Sequence, residues 1–103
     1  MSLRPPRNIH GPSFDTGINV LEHEMLAEKA ASLGRAGGHA EACLARLREH
    51  QGDAAERREL LKNAAAAVHA YFIQRELCGL RRHDDVIRDL DIPNQVLVRL
   101  GAA

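Results

Sequence analysis

Apolar residues recur along this chain at helical spacing. Leu26, Ala30, Leu33, Gly37, Ala40, Leu44 and Leu47 follow one another in alternating steps of four and three. That alternation is the seam of a helix lying against a near-parallel neighbour. Ile18, Leu21 and Met25 form a second register beside it. Together they predict a helix from about 16 to 50, with Asp15 or Thr16 as its N-cap. Gly34, Gly37 and Gly38 lie inside it. Each interior glycine costs about 1 kcal/mol of helix propensity relative to alanine, and three together would favour a break near residue 35. The apolar register crosses them without a shift of phase, which favours one long, bent helix.

Gln51-Gly52 closes that segment. Asp53 followed by Glu56 matches a capping box, so a second helix is predicted over about 54–78. Leu61, Ala64, Ala65, Val68, Tyr71, Phe72 and Arg75 share one stripe of it, and Gly79 is placed to end it. Two short helices follow, over about 84–90 with Val86, Ile87 and Leu90, and over about 93–100 with Val96, Leu97 and Leu100. Pro93 suits the first position of the latter. Residues 1–14 carry three prolines and no acid, and read as an extended basic arm. The remainder, 15–103, reads as a single all-α domain: a long antiparallel hairpin capped by two short helices.

With 103 residues there is length for one domain. The aromatics are only Phe14, Tyr71 and Phe72, and alanine and leucine dominate the apolar set, which argues against a sheet. Lys and Arg number 14, as do Asp and Glu. That balance gives no electrostatic case for binding nucleic acid or an anionic membrane. The longest apolar run, Ala64–Val68, falls well short of the roughly 20 residues a spanning helix needs. The N-terminus shows no apolar signal core, so the expected location is the cytoplasm. Cys43 and Cys78 form no C-x-x-C and read as buried apolar groups.

A hairpin turning near Gln51-Gly52 pairs residues whose numbers add to about 103. Gly37 then faces Ala66, and Gly34, Gly37 and Gly38 lie against the run that holds Ala64 and Ala67, so the two backbones approach closely. The same register sets Glu28 across from Arg75. A charge on an apolar stripe needs a partner, so Arg75 is expected to pair with Glu28 or Glu24, or else to snorkel to solvent. The register also separates the two cysteines by about 26 Å, too far for a disulfide. A two-helix hairpin leaves apolar surface uncovered. A second copy would cover it, giving a homodimeric four-helix bundle; a compact monomer is the competing outcome.

Catalytic constellations do not emerge. His23-Glu24 opens like H-E-x-x-H, but position 27 is Ala. No histidine has a glutamate three residues before it, as bundle di-iron sites require. The serines lie in no nucleophile elbow, and Gly34-Arg35-Ala36-Gly37-Gly38 follows a helix, unlike a phosphate loop. No enzyme activity, metal or cofactor is therefore expected. Residues 83–100 resemble a helix-turn-helix, with Asn94 and Gln95 where base-reading side chains sit. Five arginines against five acids over 68–103 argue against the basic stripe such a module needs. The leading expectation is a non-enzymatic helical protein that acts by assembly or partner binding, with Arg4, Arg7, Phe14, Arg81 and Arg82 as its candidate partner surface. A DNA-associated regulator using 83–100 is the alternative.

The stretches 24–38, Ala70–His83 and Ile92–Ala102 resemble a family of small uncharacterised bacterial helical proteins. They cover about two-fifths of the chain. The family has no assigned activity, so the resemblance implies an all-helical fold and transfers no catalytic or ligand residue.

Overall fold

The computed structural model describes residues 12–102, with side chains from Gly17 onward. Its elements are α1 (Pro12–Arg48), α2 (Ala54–Leu77), α3 (Asp84–Asp89) and α4 (Asn94–Leu97). The fold is all-α: α1 and α2 pack together, and the short helices follow. Arg4 and Arg7 lie outside the described residues, as does the side chain of Phe14.

α1 is one unbroken helix of 37 residues, through Gly34, Gly37 and Gly38. It starts at Pro12, earlier than the apolar pattern indicated, so Asp15 and Thr16 stand inside the helix and are not its cap. Proline suits a first helical position because the N–H it lacks would find no intrahelical acceptor there. Pro12–Phe14 accordingly belong to the helix and not to an arm.

The chain divides into two compact units, Met1–Ala31 and Ser32–Ala103. The division falls within α1, not at residue 14. In the first unit, every residue from Gly17 to Ala31 is exposed.

In the second unit the core forms where the last turns of α1 meet α2. Ala40, Cys43, Leu44 and Leu47 pack with Leu61, Ala64, Ala65, Ala67, Val68 and Phe72. Val86, Ile92 and Val96 complete the cluster from the C-terminal segment, so α3 and α4 serve as a cap over the hairpin. Burying a side chain of Val, Leu or Phe size contributes about 1.5–3 kcal/mol each, which explains why one turn suffices for α4.

Local chemistry fixes the ends of the helices. The Asp53 carboxylate accepts the Glu56 N–H at 2.8 Å while Glu56 accepts the Asp53 N–H at 2.9 Å, the reciprocal box expected. At the far end Leu80 N–H reaches Arg75 O at 2.9 Å and Gly79 N–H reaches Glu76 O at 3.0 Å. This is a Schellman turn, with Gly79 at φ +90°. α3 ends the same way: Ile92 N–H bonds Ile87 O at 3.0 Å and Asp91 N–H bonds Arg88 O at 3.1 Å. Here the left-handed residue is Asp91, at φ 52°, where a side chain is strained. Asp91→Gly is expected to stabilise the protein by about 0.5–1 kcal/mol. A urea unfolding midpoint that fails to rise would refute that. Pro93 is extended (φ −70°, ψ 152°) and caps α4 from outside, one position earlier than expected.

The glycine segment packs differently from the register drawn above. A Cβ at Gly37 would sit 3.1 Å from the Tyr71 ring, so Gly37 makes room for an aromatic side chain and not for Ala66. Helical side chains lean toward the N-terminus, which carries the long Tyr71 ring about a turn along the groove. Gly34 and Gly38 are exposed, and a Cβ on either would meet nothing within 4 Å. They make no close helix contact, contrary to expectation. Ala64 and Ala67 are buried, whereas Ala66 faces solvent.

Candidate functional site

The densest polar arrangement lies where α2 meets the segment leading into α3. Arg75 sits on the apolar stripe of α2, three residues beyond Phe72, and is only 8% exposed. It does not snorkel. Its Nε–H donates to His83 Nδ1 at 3.1 Å, and Nη2–H donates to the Arg82 carbonyl at 2.8 Å. Asp85 supplies the charge partner, 3.7 Å from Nη2. The guanidinium carbon also lies 5.8 Å from the centre of the Tyr71 ring, within cation–π range.

His83 completes the arrangement. Its ring stacks on Phe72 at 4.1 Å with planes 6° apart. Because Nδ1 receives the Arg75 hydrogen, Nε2 is left as donor to Glu76, 3.0 Å away. One arginine thus holds two residues of the connector and Asp85 of α3, and one histidine ties that connector back to α2. The arrangement is a clamp. Nε and Nη2 of Arg75 and both ring nitrogens of His83 have partners within the chain.

The expected partners of Arg75, Glu28 and Glu24, belong to the first unit and Arg75 to the second; the Glu28–Arg75 pair stands as an expectation. Arg81 and Arg82 are exposed. With Leu80 and Arg88 they line a cleft of about 500 Å³ beside the clamp. Asn94 and Gln95 are exposed at the start of α4, but α4 has only four residues, about 6 Å of helix.

A second polar contact escaped the sequence reading. Cys43 Sγ lies 3.8 Å from His39 Nε2 and accepts from Arg46 Nη1 at 3.5 Å. The signal was the four-residue spacing of His39 and Cys43, which puts both on one helix face. Cys43 is 3% exposed, and a nucleophilic thiol needs access. Cys78 is half-buried, and both cysteines are free thiols. Among the described residues no group of three His, Cys, Asp or Glu side chains is arranged to hold a metal ion. No described helix is long and apolar enough to cross a membrane.

Helical hairpin, C-terminal cap and polar clamp define a small all-α protein. The chain belongs to a family of unknown function, DUF6665, whose model matches residues 1–103. No curated protein and no solved structure matches it.

Proposed function

We propose that this protein works through assembly and not through catalysis, as a homodimer of helical chains. The observation that carries this reading is the bare apolar face of α1. Ile18, Leu21 and Met25 recur at helical spacing in a segment where every described residue is exposed, with Leu21 at 59% and Met25 at 61%. Helices in proteins draw most of their stability from packing such a face, and a contiguous exposed apolar patch marks an interaction surface. A second copy of the chain supplies the missing cover.

Light scattering on the purified chain is expected to return twice the mass of one chain at micromolar concentration. Leu21→Glu combined with Met25→Glu is expected to return the single-chain mass while circular dichroism still shows a helical protein. A wild-type chain that stays monomeric would overturn the reading.

A further inference from the structure

α2 carries a second apolar stripe that the core does not use. Ala66, Ala70, Ile73 and Leu77 are spaced by four, three and four residues. All four are exposed, Leu77 to 69%. At about 100° per residue the four helical members fall within roughly 60° of one another, on the side turned away from Val68 and Phe72. His69 and Glu76 flank one edge of the stripe, and no charged residue interrupts it between Ala66 and Leu77.

The order of sizes along the stripe is informative. Small residues occupy its N-terminal end and large ones its C-terminal end. A parallel mate of the same sequence would set alanine on alanine and leucine on leucine, leaving a gap at one end and crowding at the other. An antiparallel mate centred on Ile73 sets Ala70 against Leu77 at both ends, so that side-chain volume is even along the seam. The same operation brings His69 of one copy beside Glu76 of the other, and it juxtaposes no two like charges. The stripe is its own complement under a two-fold rotation, the condition for an isologous dimer interface.

We infer that α2 pairs antiparallel with α2 of a second copy, about a two-fold axis at Ile73. This rests on the dimer reading above and adds a seam on α2 to the α1 face named there. The test uses the full chain. Ala70→Glu and Leu77→Lys are both at exposed positions, so each variant is expected to keep its helical spectrum. Each alone is expected to weaken the homodimer about tenfold or more by placing an unpaired charge on the seam. Mixed in equal amounts, the two variants are expected to form the heterodimer preferentially by native mass spectrometry, because the new carboxylate then faces the new amine. Ile73→Cys in a Cys78→Ala background is expected to form a covalent dimer on oxidation, since a residue on the axis meets its own copy. A wild-type dimer whose variants mix at random and whose Ile73→Cys form does not cross-link would overturn this seam and leave the dimer reading standing. A monomeric wild type would overturn both.

Discussion

Arg75→Ala is expected to lower the unfolding free energy by about 2–3 kcal/mol. The substitution removes two donors at once. His83 Nδ1 loses its hydrogen-bond partner at 3.1 Å, and the Arg82 carbonyl loses its partner at 2.8 Å. A half-buried acceptor left without a donor keeps its desolvation penalty and gains nothing in exchange. The ion pair contributes little to this figure, because the Asp85 side chain is 61% exposed and water screens it. Two further variants separate the contributions. Arg75→Met keeps most of the buried aliphatic stem and loses only the polar bonds. Arg75→Lys keeps the charge but cannot present the fork that reaches a ring nitrogen and a carbonyl together, so it is expected to behave nearer to Met than to Arg. Urea unfolding followed by circular dichroism reads all three. Lysine restoring wild-type stability would mean that charge, and not the fork, holds the connector.

Phe72→Ala is expected to cost more, about 3–5 kcal/mol. The ring is 7% exposed within the main core cluster, so its loss opens a cavity in that cluster. It also removes the face on which His83 stacks. A domain of this size has roughly 5–15 kcal/mol in total, so the variant stands near the edge of unfolding at room temperature. Phe72 and Arg75 act on the same histidine. Their combined loss is therefore expected to fall short of the sum of the single losses by at least about 0.5 kcal/mol, the signature of coupled residues. Strict additivity would show that ring and guanidinium stabilise the connector independently.

Much of the second unit was legible in the sequence. The stripe of α2 held because its apolar periodicity is undiluted and its ends are set by local chemistry: Asp53 with Glu56 at one, Gly79 at the other. Val86 and Val96 are among the apolar residues that mark the two short helices, and both are buried. Arg75 was legible as a charge in need of a partner. Its hydrogen bonds were not, because one partner is a backbone carbonyl and the other an imidazole on a connector, and a helix-to-helix register describes neither. The role of His83 depends on the same loop geometry. The start of α1 was misjudged for a related reason: a proline-rich stretch suggests an arm, while Pro12 alone is compatible with a first helical position. The neighbour of Gly37 is the ring of Tyr71 and not the alanine run, and the reach of that ring along the groove does not follow from residue numbers.

The links that hold the second unit together are short in sequence. The last turns of α1 meet α2 across a five-residue connection, the capping box spans three residues, and Arg75 reaches only as far as Asp85. Closing short loops demands little chain entropy, and folds rich in near-neighbour contacts cross their barriers quickly. Folding from Ser32 onward can therefore proceed like a zip, from the turn at Asp53 outward along both helices.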